Sequence, residues 1–257
     1  MAGACISSLF IAKILQVHLP YSIILSLGLT VWIIYTLDHL MDGIYVRHAA
    51  GSMRHLFHQK YARKISFFLI LALLLSGLNL FLLPERTLRL GVLLIIAVTI
   101  YFIVLQIFRA RNLYLKETTI AIIYTLGLFI GPFSMISAIE YHTILPLFIQ
   151  FLGLSMANLL LFSMVEKELD QKDGHASLTL TLGSGKVKYL GYFSIILVWV
   201  MGIISLIIGN PWAPQLVIAI MSGLLWAMTM NPAAFIPNEK YRLIGDGVFL
   251  LPLLLLL

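Results

Sequence analysis

Asp38 and Asp42 stand four residues apart at the end of one apolar stretch, WIIYTLDHLMDGIYVRH, and Glu166 and Asp170 stand four apart at the end of another, FSMVEKELDQKDGHASL. Residues i and i+4 share a helical face, so each pair sets two carboxylates side by side. Like charges at that spacing destabilise a helix unless something positive lies between them, and a divalent cation is the natural candidate. Cys5 is the single cysteine, so neither an intrachain disulfide nor a thiolate cluster for zinc or iron is available.

The elements that position these acids are membrane helices. Of the 257 residues, 61% are hydrophobic and 11% charged, and the mean hydropathy is +1.01, whereas a soluble domain carries about 25% charged residues. A helix needs about 20 mostly apolar residues to cross a bilayer. On that ruler the chain divides into nine spans, near 2–17, 21–40, 65–83, 88–107, 118–139, 143–165, 188–208, 212–230 and 241–257, the first of them short. The expectation is an all-α polytopic bundle forming a single membrane domain over 1–257. MAGACISSLFIAKILQ holds its only cation, Lys13, inside the apolar stretch, and therefore reads as a retained first helix rather than a signal peptide.

Fourteen of the seventeen cations fall in the connections that follow even-numbered spans, while Arg86 and Arg89 lie on the opposite side. The positive-inside rule places the cation-rich side, and with it the N-terminus, in the cytoplasm. The net charge of +6 is thus a topology signal rather than a footprint for nucleic acid. Both acid pairs sit at this same face, in the two longest connections, roughly 41–64 and 166–187. The pairs are about 128 residues apart, each at the end of an even-numbered span, a spacing that suggests two related halves.

Asp38-x-x-x-Asp42, followed by basic residues through Arg47 and Arg54, resembles the first aspartate-rich motif of the UbiA superfamily of intramembrane prenyltransferases. Glu166-x-x-x-Asp170-x-x-x-Gly174-x-x-Ser177-Leu178, then Leu182-Gly183, resembles the second, with Glu166 in place of the usual leading aspartate. The resemblance implies a UbiA-like bundle whose central cavity opens to the cytoplasmic side. It also implies Mg²⁺ held by Asp38, Asp42, Glu166 and Asp170, and an isoprenoid diphosphate donor whose prenyl group passes to a lipophilic acceptor. Arg47, Arg54 and Lys116 are the candidate diphosphate ligands; Arg offers a planar fork and Lys a point charge. The implied setting is a bacterial-type inner membrane, with the active site cytoplasmic and membrane lipid as the surrounding partner. The chain departs from the motif in two places. Ile34 and Tyr35 stand where the family has an Asn-Asp pair, and Tyr114-Leu115-Lys116-Glu117 replaces a tyrosine followed by a Lys-Arg pair.

Simpler readings compete at each position. Taken alone, Asp38 and Asp42 equally fit a solvated helix end paired with Arg47 or His39. Gly174 and Ser177 suit helix caps. Asn158, two turns before Glu166, faces either the same cavity or a neighbouring helix. Tyr35 is either a π face for an allylic cation or an interfacial tyrosine. Asp173 lies off the face of the second pair and is a further possible cavity residue. His39, His48, His55 and His58 have irregular spacing and no cysteine beside them, which argues against a transition-metal site. Asp246 reads as the i,i+4 partner of Arg242. Two other functions remain open: a catalytically inactive UbiA-like partner protein, favoured by the missing Asn-Asp, and a transporter of an anionic lipid or metal. Transport is disfavoured because charges are scarce inside the spans.

Overall fold

Long apolar stretches punctuated by Pro and Asn become helices because a backbone away from water must satisfy its polar groups internally. The computed structural model describes residues 1–45, 53–107, 116–137, 140–173 and 177–257, without the side chains of 41–45, 53–56, 58, 59, 102, 104–107 and 173. Among these residues the chain is 89% helix, with no strand.

Among the described residues, six helices are long and apolar enough to cross a membrane. They are α2 (Tyr21–Tyr45), α3 (Met53–Leu80), α5 (Lys116–Met135), α6 (Tyr141–Val165), α9 (Ser184–Ile207) and α10 (Trp212–Met230). α4 (Glu85–Ile107) is a further apolar helix of 23 residues. The first expected span is shorter than predicted. α1 (Ala2–Ile14) has 13 residues, about 20 Å at a rise of about 1.5 Å per residue, against a hydrocarbon core of about 30 Å. The last expected span divides into α11 (Lys240–Gly247) and a 3-10 segment, Val248–Leu255. Gly245 and Gly247 weaken the α-helix, and Pro252 lacks the N–H needed to continue it.

The remaining elements are short. α7 (Lys167–Asp173) and α8 (Leu178–Leu182) lie between α6 and α9, and the 3-10 turns Pro232–Phe235 and Pro237–Glu239 lie between α10 and α11. Gly183 separates α8 from α9 at φ 85°, a left-handed conformation that favours glycine.

α6 lies at the centre of the bundle, between α5 on one side and α9 and α10 on the other. Its contact with α9 is close because Gly153 has no side chain. A Cβ there would lie 2.7 Å from Val198 Cγ2 and 2.9 Å from the Ser194 carbonyl oxygen. Small residues at such crossings let backbones approach where solvent gives little hydrophobic driving force. α1 packs against α5 and against the C-terminal 3-10 segment. In contrast, Phe67, Phe68, Leu74 and Leu78 of α3 and Leu93, Ile96 and Ile100 of α4 are exposed. Such a continuous apolar surface suits lipid rather than water.

Gly131-Pro132 predicts a defect in α5, and α1 repairs it. Pro132 has no N–H to give the Leu128 carbonyl one turn earlier, and the buried Ser8 hydroxyl donates to that carbonyl at 2.9 Å. Ser8→Ala is therefore expected to orphan a buried carbonyl and lower stability by about 1–3 kcal/mol. The loss should appear as a lower unfolding midpoint in detergent; an unchanged midpoint would mean that the bond contributes nothing net.

Candidate functional site

Asp38 lies on the penultimate turns of α2, with its side chain one-third exposed and one oxygen 3.9 Å from Nδ1 of the buried His39. Tyr35, one turn earlier, is half-exposed, and its ring lies over His39 with centroids 4.1 Å apart. The aromatic face predicted to be open to a cation is thus partly occupied by an imidazole. Asp42 continues the helical backbone of α2 by one turn, so the i,i+4 relation to Asp38 is kept. The carboxylate of Asp42 and the side chains of Arg54, His55 and His58 lie outside the described residues, as do Arg47 and His48 entirely.

The second pair lies across a helix junction. α6 ends at Val165 and α7 begins at Lys167, yet the Asp170 N–H donates to the Glu166 carbonyl at 2.9 Å. That bond carries the helical register through the junction, so Glu166 and Asp170 remain one turn apart on a shared face. Asp173 closes α7, its side chain outside the described residues.

Glu166 is embedded rather than solvated. Its Oε1 pairs with Arg242 Nη2 and accepts the Tyr241 hydroxyl at 3.1 Å. Arg242 Nε donates to the Tyr241 oxygen at 2.9 Å and lies 3.7 Å from Glu239. The Glu166 and Arg242 side chains are only 18% and 15% exposed, so solvent screens the pair weakly. The sequence pairs Arg242 with Asp246; the structure turns its guanidinium to Glu166, Tyr241 and Glu239 instead.

α11 reaches Glu166 because Gly245 allows it to press onto α6. A Cβ at Gly245 would lie 2.5 Å from Asn158 Oδ1 and 2.8 Å from Phe162 Cε1. Tyr241 meets Phe162 edge to face, centroids 5.6 Å apart. Asn158, two turns before Glu166, is buried, and its Oδ1 has no hydrogen-bond partner among the described residues. Gly245→Ala is expected to push α11 off α6 and lower stability by about 1–3 kcal/mol. An unchanged midpoint in a thermal melt would mean that the contact relaxes without cost.

The connection after α6 is also folded back into the bundle. Lys116 and Glu117 open α5, and the buried Glu117 carboxylate accepts the Leu178 N–H at 2.7 Å. Ser177 occupies the N-cap position of α8, but its hydroxyl makes no capping bond, and Glu117 holds the first amide of that helix instead. Sequence reading gave no role to Glu117, Tyr241 or Glu239. The available signal was an excess of acids at one membrane face without a stated partner for each.

The donor set is compatible with a hard cation: carboxylate oxygens, with no thiolate. Among the described residues, no three His, Cys, Asp or Glu side chains are grouped to hold a metal, and the Asp42 carboxylate is not among those residues. Among the described residues, the bonds of Glu166 to Arg242 and Tyr241 both fall on Oε1, which leaves Oε2 without one. Compared with models of known protein families, with characterised proteins and with solved structures, the chain matches none.

Proposed function

We propose that this chain is a nine-span, UbiA-like prenyltransferase of a bacterial-type inner membrane, with its N-terminus and site on the cytoplasmic side. It transfers a prenyl group from an isoprenoid diphosphate to a lipophilic acceptor in the presence of Mg²⁺. The observation that supports this most is the helical register kept between Glu166 and Asp170 across the α6–α7 junction. It preserves a carboxylate pair that matches the pair on α2.

In this reading Asp38, Asp42, Glu166 and Asp170 hold Mg²⁺, with Glu166 using Oε2. When bound, the metal neutralises charge that develops on the departing diphosphate. Arg47, Arg54 and Lys116 take the remaining phosphate oxygens, and Asn158 and Tyr35 line the approach to the pairs, with Asp173 beside them. Carboxylates placed at the end of α2 and at the α6–α7 junction position the diphosphate at the membrane surface, while its hydrocarbon chain stays among apolar helices.

A second reading is an inactive relative retained as a membrane partner protein. It is favoured by Ile34 and Tyr35 at the Asn-Asp position and by Arg242, which already neutralises Glu166. The two are separated by incubating the purified protein in nanodiscs with a panel of isoprenoid diphosphates and measuring inorganic diphosphate release. Release that requires Mg²⁺ supports the enzyme. Absence of both release and Mg²⁺-dependent donor binding leaves the partner protein.

A further inference from the structure

We infer that Arg242 is a diphosphate-binding residue of the second acidic motif, held in position by Glu166, Tyr241 and Glu239; the inference rests on the proposed prenyl-diphosphate chemistry.

Arg242 is fixed on three sides. Nη2 pairs with Glu166, Nε bonds the Tyr241 oxygen and faces Glu239, and the guanidinium carbon lies 5.4 Å from the Tyr241 ring centroid. Nη1 has no bond to any described residue. A guanidinium held in this way has already lost the rotamer freedom that a flexible cation loses on binding, and it keeps a donor in a known plane. Planar donors of this kind are suited to phosphate oxygens.

Stability alone is a weak reason for the cluster. A buried ion pair costs desolvation that its attraction often only offsets, and apolar residues of similar volume do as well or better. The chain nevertheless places a buried cation directly on Glu166, the first acid of the motif. A diphosphate carries several negative charges, and a protein cation at the second motif offsets part of them. Glu166 divides its work accordingly. Oε1 positions Arg242, and Oε2 stays available to the metal. Glu239, half-exposed, restrains the Nε side of the guanidinium, and Gly245 makes the arrangement possible by letting α11 approach α6.

The test compares four proteins in nanodiscs: wild type, Arg242→Gln, Glu166→Gln and the double variant. The probes are farnesyl diphosphate and inorganic diphosphate, each with Mg²⁺, measured by calorimetry beside thermal melts. Each single variant leaves a buried group uncompensated and is expected to melt lower, and the double is expected to recover most of that loss. Glu166→Gln and the double both lack the carboxylate, so the difference in their affinities reports Arg242 alone. The double is expected to bind both probes at least about 10-fold more weakly than Glu166→Gln, or about 1.4 kcal/mol. Equal affinity in those two variants would assign Arg242 a packing role only. Should Glu166→Gln not fold, Arg242→Lys replaces it. It keeps the charge but cannot hold Glu166 and present a second coplanar donor, so it is expected to bind several-fold more weakly than wild type. Wild-type affinity in a folded Arg242→Lys protein would overturn the inference. Wild-type protein that binds neither probe would instead overturn the prenyl-diphosphate reading itself, and the inference with it.

Discussion

Glu166→Ala is expected to destabilise the protein by about 2–4 kcal/mol, one of the two largest effects of any substitution at the site. The change removes the carboxylate from a buried pair and leaves the Arg242 guanidinium, only 15% exposed, without its main counter-charge. Breaking such a pair from one side costs about 3–5 kcal/mol when burial is complete, and the residual exposure here reduces that figure. The Tyr241 hydroxyl also loses its acceptor. Chemical denaturation in a mild detergent, followed by tryptophan fluorescence, measures the loss. Glu166→Leu with Arg242→Met should return most of it, because removing both charges removes the uncompensated one. A single variant as stable as wild type would mean that water already reaches the guanidinium.

The second large effect concerns activity. In the prenyltransferase reading, Asp170→Asn is expected to reduce Mg²⁺-dependent diphosphate release by about 100-fold or more, and Asp42→Asn by a similar factor. Each replaces a charged oxygen ligand with a neutral one, and metal stabilisation of a leaving group amounts to several kcal/mol. About 3 kcal/mol corresponds to about 100-fold in rate. Loss of Glu166, which is paired with Arg242, should reduce stability as well as rate. Rates within twofold of wild type in both asparagine variants would exclude these carboxylates from the chemistry.

Much of the fold was legible because hydropathy and length act locally. Runs of apolar residues between turn residues located every long helix, and the breaks at Pro84, Asn210 and Pro211 fell where the helices end. The limits appeared where tertiary packing overrides local pattern. The stretch 241–257 reads as one apolar span, yet its two glycines and Pro252 leave a short α-helix followed by a 3-10 segment. Gly131-Pro132 announced a defect in α5, but nothing in the neighbouring residues says that Ser8, more than a hundred positions away, satisfies the freed carbonyl.

The sequence by itself determined an all-helical membrane chain, the spacing of both carboxylate pairs and the gathering of charge at the ends of helices, because those properties depend on residues within a turn or two of one another. Only the tertiary structure decided the partners of those charges. Arg242 was within one turn of Asp246 and 76 residues from Glu166, and local spacing favoured the nearer acid. Gly245 allowed α11 to lie against Asn158 and Phe162, which brought Arg242 to Glu166 in a poorly solvated position where a close counter-charge is worth more than at an exposed helix surface.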